Sequence, residues 1–330
     1  MKRTAALYGA LAAGLLLVTA ASLAVGPVSL RDEELRSALL ALRAARLAGA
    51  FLVGAALAVA GVVVQGLFRN PLADTSVLGT SAGATLGGNA ALLFAELVLA
   101  RRPIPGCPPD VLVPLGCLAG ALGSLVLVMA FVRRSTDVLS ILLTGFLLSS
   151  LFIAIGGLVT SVAQERWELG RALVAFTLGG LTATGPSSVA LAAPLVAAGT
   201  AAAWFWAKPL DLLLSGDEEA ASLGVDVGQV RRYCILWVSA LTAGAVALGG
   251  NIGFVGLLVP HALRPLLGVE HRRLVPVAAL GGALFVASCD LLARSIPARS
   301  EVPLGVITGI LGAPLFLWLL VRSRVEVARA

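Results

Sequence analysis

Long stretches without a charged side chain dominate this sequence. In the first half alone such runs cover residues 4–30, 47–68, 75–95, 111–132 and 138–163. A helix needs about 20 residues, at a rise of 1.5 Å each, to cross the hydrocarbon core of a bilayer. Runs of this length recurring along the whole chain leave one architecture: an all-α polytopic membrane protein. The composition agrees, with 58% hydrophobic and 13% charged residues, where a soluble domain carries roughly a quarter charged. Too few charges remain to coat a soluble globule, and disordered chains are polar.

The later runs are longer and need dividing. Gly179, Gly180, Gly185 and Pro186 interrupt 172–207, so a span is expected over 187–207, preceded by a short surface or re-entrant helix. Gly249, Gly250, Asn251 and Gly253 interrupt 233–263, which divides into 231–248 and 252–267. The ten expected spans are 4–28, 47–68, 75–97, 111–132, 138–163, 187–207, 231–248, 252–267, 274–292 and 302–321, within a single domain covering 1–330. The apolar stretch after Met1-Lys2-Arg3 exceeds the 7–15 residues typical of a signal peptide, so it is counted as span one.

An even count puts both termini on one side. With the termini in the cytoplasm, 14 Lys and Arg residues fall inside and 10 outside, a weak bias in the direction that cytoplasmic loops show. The outer set is Arg31, Arg36, Arg43, Arg46, Arg101, Arg102, Arg166, Arg171, Arg294 and Arg299, and so many outward arginines need a reason of their own. The net charge of +6 sits in short groups between apolar runs, a pattern that sets topology; nucleic acid is not expected as a partner. Neither lysine, Lys2 or Lys208, follows a glycine, so the chain holds no P-loop for ATP. Cys107, Cys117, Cys234 and Cys289 form no CxxC pair and fit no zinc spacing. No metal site and no cofactor are expected in this chain.

Several blocks resemble a known family. They include Arg43–Ala44–Ala45–Arg46, Gly54-Ala55-Ala56, Arg69-Asn70-Pro71-Leu72-Ala73-Asp74, Gly216-Asp217-Glu218-Glu219-Ala220, and Gly253 through His261. His271-Arg272-Arg273-Leu274, Asp290, Arg294, Glu301-Val302-Pro303 and Gly312-Ala313-Pro314 continue the match in the same order. Together they resemble the permease subunits of bacterial ATP-driven importers for iron–siderophore complexes, haem and cobalamin. The resemblance implies ten helices, a homodimer with a translocation pathway on its two-fold axis, and a place in the bacterial inner membrane. It also implies two cytoplasmic ATPase subunits, which would carry the ATP and magnesium, and a periplasmic substrate-binding protein. The chain itself would not be an enzyme.

The resemblance assigns roles to three groups. Arg43, Arg46 and Arg294 match arginines that receive acidic residues of the binding protein, a task suited to a planar guanidinium. Residues 211–226 match the short coupling helices that sit in the ATPase. There Gly216, Asp217, Glu218, Ala220, Leu223 and Gly224 are the candidates, with Asp217 where relatives usually carry Glu. Small Ala220 and Gly224 would permit close approach, and Leu223 would be an apolar knob. Arg69, Asn70 and Pro71 break the chain between spans two and three, either lining the pathway or capping two helices. Thr144, Ser149 and Ser150 are candidates to face the pathway.

Gln65, Asn89, Glu96, Asn251, His261 and Asp290 lie inside or at the edge of spans, where an ionisable group is a functional candidate by default. His261 is expected to bond neighbouring backbone and Asp290 to bond across helices. An ion-gradient-driven secondary transporter is the rival of another class; it calls for paired intramembrane carboxylates and inverted repeats, whereas the spans hold one Asp and no clear repeat. A membrane enzyme calls for clustered His, Asp or Cys, and no such cluster occurs.

Overall fold

A computed structural model of the chain describes residues 2–25, 33–99, 109–132, 138–296 and 301–327. Cys107 and the arginines 31, 101, 102, 133, 134, 299 and 329 lie outside these residues. In order come α1 (Lys2–Ala24), α2 (Glu33–Leu67), a 3-10 turn (Thr75–Leu78), α3 (Thr80–Phe94), a π turn (Ala95–Leu99) and α4 (Pro109–Val132). Then follow α5 (Val138–Ala163), α6 (Trp167–Leu178), α7 (Pro186–Phe205), α8 (Ala207–Leu213), α9 (Asp217–Ser222), α10 (Val227–Gly249), α11 (Val255–Leu267), α12 (His271–Ser295) and α13 (Leu304–Val327). No strand occurs among the described residues.

Each expected span carries a helix, and among the described residues seven helices are long and apolar enough to cross a bilayer: α1, α2, α4, α5, α7, α10 and α12. Helices α3 and α11 are shorter. The stretch 75–97 opens as a 3-10 turn, reverses at Gly79 (φ +74°), and holds only 15 residues of α-helix before the π turn. With 13 residues, α11 reaches only about 20 Å. Helix α13 runs over Leu304–Val327, 24 residues.

Helix α2 is the centre. Of its apolar window 78% is buried, against 6% for α1 and 17% for α5. It packs against α12, α10, α7 and α11. The outer helices show the reverse of a soluble protein. Leu143, Phe146, Leu147, Leu151 and Leu158 of α5, and Leu315 and Leu317 of α13, are exposed, while Gln65, Asn89, Ser239 and Asp290 are buried. Only a solvent as apolar as lipid tolerates that surface.

Two glycine contacts draw the helices together. On α2, a Cβ at Gly54 would lie 2.0 Å from the Gly282 carbonyl oxygen, and one at Gly61 would lie 2.0 Å from that of Gly256. Between α3 and α4 the pairing is reciprocal: Gly83 faces Gly120 and Gly87 faces Gly116. Both helices thus present small residues four apart, the spacing that lets backbones touch in a membrane. The glycine runs at 83–88 and 120–123 do not by themselves say which residues face one another. The structure selects Gly116 and Gly120 on α4 and leaves Gly123 with nothing near it.

The chain breaks are buried together. The N–H of Gly180 donates to Gly249 O (2.8 Å), that of Leu304 to Gly179 O (2.8 Å), and the Thr184 hydroxyl to Leu248 O (2.9 Å). The ends of α6 and α10 and the start of α13 therefore satisfy one another's backbone groups, as irregular chain within a membrane protein must. Gly250 is required twice over. Its φ is +65°, and a Cβ would lie 2.1 Å from Phe176 O.

Gly87→Ala should therefore lower the melting temperature in detergent by about 5 °C, since overpacking costs roughly 1–3 kcal/mol. Gly123→Ala should leave it unchanged or slightly raised. Equal effects of the two substitutions in a thermal-shift measurement would contradict the reciprocal glycine seam.

Candidate functional site

Charged side chains gather at the two ends of α2. At its C-terminal end the two short helices α8 and α9 form an elbow, as the coupling stretch 211–226 leads one to expect. Gly216 and Gly224 bracket α9 with φ of +130° and +85°. Nothing lies within 4 Å of a Cβ built on either. Their glycines thus serve the backbone turn. Ala220 is fully buried beneath the elbow, whereas Leu223 is 64% exposed at its tip. Glu218 and Glu219 are both exposed.

Asp217 binds two arginines. Its Oδ2 accepts from Arg231 Nη2 of α10 at 2.7 Å, and its Oδ1 from Arg69 Nη2. Arg69, two residues past the end of α2, is in the left-handed region, with φ +50°, the usual conformation for ending a helix but a strained one for a residue with a side chain. Asn70 carries on the cap: its N–H donates to Gln65 O (3.1 Å) and its side chain accepts from Leu72 N–H (2.9 Å). The turn with Pro71 therefore closes α2 and ties it to the elbow. Of the two roles open for it, the geometry occupies the capping one.

A second carboxylate works in the same place. Asp211 of α8 accepts through one oxygen from the backbone N–H of His271 (3.0 Å) and from its ring at Nδ1 (2.6 Å). His271 is the first residue of α12 and is 2% exposed. His271 lies in a block that carries the resemblance and Asp211 opens the stretch 211–226, but the sequence does not pair them. The available signal is an acid within the elbow and one of only two histidines at a helix start, and nothing local joins residues 60 apart. Close by, a cavity of about 1110 Å³ opens between α4, α5, α9 and α10, with Leu125, Met129, Ile141, Asp217, Arg231 and Tyr233 in its wall.

At the other end of α2 sit the three candidate arginines. The helix begins at Glu33, well before the expected 47, so Arg43 and Arg46 are helical. Arg43 Nη1 donates to Leu23 O (2.7 Å) and Ala24 O (3.2 Å), the orphan carbonyls that end α1. Arg294 Nη1 donates to Ser22 O (3.3 Å) in the same region. Arg46 grips Asp290 with Nε (3.0 Å) and Nη2 (2.9 Å) and reaches Glu301 with Nη1 (3.1 Å). Asp290 also lies 3.1 Å from Arg294 Nε, one turn along α12. Asp290 thus bonds across helices, as expected. Three guanidiniums against two carboxylates leave this end positive, around a hollow of about 160 Å³ lined in part by Arg43, Arg46, Thr184, Arg294 and Glu301.

From Arg46 to Gly66, α2 rises about 30 Å, the thickness of a hydrocarbon core. The two charged ends are therefore spaced like the two faces of a membrane.

The other candidates scatter. Ser149 donates back to Gly145 O (2.8 Å) and lies 3.1 Å from Ser76 O, Ser150 donates to Phe146 O (3.1 Å), and Thr144 is half-buried. The structure does not bring them together with the arginines or the elbow. Gln65 donates to Gly256 O (3.1 Å) and Asn89 to Thr177 Oγ1 (3.3 Å), while Asn251 accepts from Ser81 Oγ (3.2 Å). Glu96 is exposed on the π turn. His261 lies edge-on to Phe316, with ring centroids 5.6 Å apart, where a backbone hydrogen bond was expected. Among the described residues, Cys117, Cys234 and Cys289 are free and buried, and no group of three metal-ligating side chains occurs.

Residues 6–322 match the FecCD transport family. The chain is 41% identical over 258 residues to the Fe(3+) dicitrate transport system permease protein FecD of Escherichia coli, covering 78% of this chain and 77% of that one. It is 38% identical over 257 residues to the cobalamin import system permease protein BtuC of Halobacterium salinarum, covering 77% of this chain and 65% of that protein. To the hemin transport system permease protein HmuU of Yersinia pestis it is 36% identical over 259 residues, covering 78% and 75%. Its backbone superposes on a solved metal-chelate type ABC transporter in an inward-facing conformation with a TM-score of 0.84, at 31% identity, covering 96% of this chain and 98% of that one.

Asp290→Asn would leave Arg46 and Arg294 buried without their shared carboxylate, a loss of about 3–5 kcal/mol. A fall in melting temperature of about 10 °C is expected, with a smaller fall for Glu301→Gln, whose side chain is 30% exposed. Thermal unfolding of the two variants side by side checks the order.

Proposed function

The chain belongs to the FecCD transport family, and on that premise we propose that it is the membrane-spanning subunit of an ATP-driven importer that passes an iron chelate, a ferric siderophore or haem, into the cytoplasm. The working unit is two copies of this chain with a central pathway, each copy crossing the inner membrane ten times with both termini in the cytoplasm. Two separate ATPase subunits hydrolyse ATP on the inner side, and a periplasmic binding protein delivers the cargo. Cobalamin is the alternative cargo, since similar chains include a cobalamin permease as well as iron dicitrate and hemin permeases.

One observation carries the proposal: the elbow of α8 and α9 presents exposed Leu223 outward while Asp217 is bonded to α2 and α10. An apolar tip on a charged, tethered elbow suits a foreign protein's cleft. ATP-driven closure of that partner would push on Leu223, and the tethers would pass the displacement to the helices around the pathway. The cargo is moved, not chemically changed. At the opposite end the arginine group suits acidic side chains of the delivering protein, with attraction that weakens as salt rises.

A carrier driven by a proton gradient commonly relays the proton through a titratable intramembrane carboxylate. Among the described residues, the deeply buried acid is Asp290, and two arginines hold it. That pairing favours the ATP-driven reading.

In proteoliposomes, uptake should require the partner ATPase and ATP and be blocked by vanadate. Uptake without any ATPase subunit would refute the proposal. Leu223→Arg should still insert, but its ATP hydrolysis should no longer rise when the loaded binding protein is added. A normal response would remove the elbow from the mechanism.

A further inference from the structure

Asp211 and His271 join the elbow to the helix pair at the core of the molecule. A single carboxylate oxygen of Asp211 takes both the backbone and the ring N–H of His271. It does so at the N-terminus of a 25-residue helix, where a negative charge is favoured by the helix dipole. The other side of the ring rests on α2. A Cβ on Gly66 would lie 2.2 Å from His271 Nε2, so the imidazole touches the α2 backbone with no side chain between them. That Nε2 is buried and has no hydrogen-bond partner, so the ring is held by Asp211 and by shape.

Helix α12 is fixed to α2 along its length. Besides the His271 contact, a Cβ on Gly282 would lie 2.1 Å from the Gly54 carbonyl oxygen and 2.6 Å from Ala58 Cβ. Interiors packed this closely transmit displacement and do not absorb it. Near the far end of α12, about 28 Å from His271 at 1.5 Å per residue, stands Asp290, which holds Arg46 and Arg294. One continuous helix therefore has a carboxylate contact at the elbow and another in the arginine group.

We propose that Asp211 is a positioning residue that acts through His271, and that this pair with α12 forms a strut connecting the ATPase-facing elbow to the arginine end. The proposal rests on the importer reading. Such a link is reciprocal in binding free energy. Occupancy of the arginine end biases the position of the elbow, and engagement of the elbow biases the arginine end. Asp217, bound to α2 and α10, steadies the elbow, whereas Asp211 is its connection to α12.

The test uses the complete transporter in nanodiscs and proteoliposomes, with its ATPase and binding protein. Cargo moved per ATP hydrolysed and melting temperature are measured for wild type, Asp211→Ala, Asp211→Asn and His271→Gln. With the strut removed in Asp211→Ala, cargo moved per ATP should fall about tenfold, and the loaded binding protein should no longer stimulate hydrolysis. Asp211→Asn, whose amide oxygen still accepts, should lie between this variant and wild type, and His271→Gln should follow Asp211→Ala. An unchanged ratio in Asp211→Ala overturns the strut. So does a parallel fall of uptake, hydrolysis and melting temperature, which would make the pair merely structural. If wild-type uptake proves independent of ATP, the importer reading itself fails, an outcome separate from these.

Discussion

Everything in this fold depends on the backbone-to-backbone approach of α2 to its neighbours. Gly54 against Gly282 and Gly61 against Gly256 leave no room for a side chain. In lipid the hydrophobic effect gives helices little reason to associate, so close van der Waals contact must supply it. Once α2 and α12 lie together, their ends are set, and with them the positions of Arg46 beside Asp290 and of Gly66 beside His271. The charged groups at the two faces are consequences of a seam made from the smallest residues in the chain.

That arrangement also gives three of the arginines at this end a structural reason. Arg43 and Arg294 satisfy carbonyls at the end of α1, and Arg46 is held by Asp290 and Glu301. These guanidiniums build that end of the molecule as well as charging it. A partner that meets them meets a surface already fixed in place, with little side-chain freedom left to lose on contact.

The fold class, the helix positions and the elbow are legible in the sequence because run length, glycine breaks and charge are local properties. What is not legible depends on facing. The length of α2 was missed because Arg36, Arg43 and Arg46 look like the end of an apolar run. Arg46 is accommodated only by acids at 290 and 301, far along the chain. The partners of Gly83 and Gly87 depend on which side of α4 turns inward, and a helix with apolar residues all round gives no sign of that. His271 belongs to a recognisable block, but its pairing with Asp211, 60 residues away, is not written there. Arg69 and Asp217 were each singled out, yet only the folded chain shows that they bind one another.

Arg69 illustrates how stability and linkage diverge. At φ +50° glycine would sit without strain, whereas a residue with a Cβ gives up about 1–2 kcal/mol in that conformation. An arginine there makes sense only for what its side chain reaches. A chain optimised for heat resistance alone would drift toward glycine at this position and lose its grip on Asp217. Selection of this protein for heat resistance alone would therefore be drawn to the same spot, and a sturdier molecule with a looser elbow is the product to watch for.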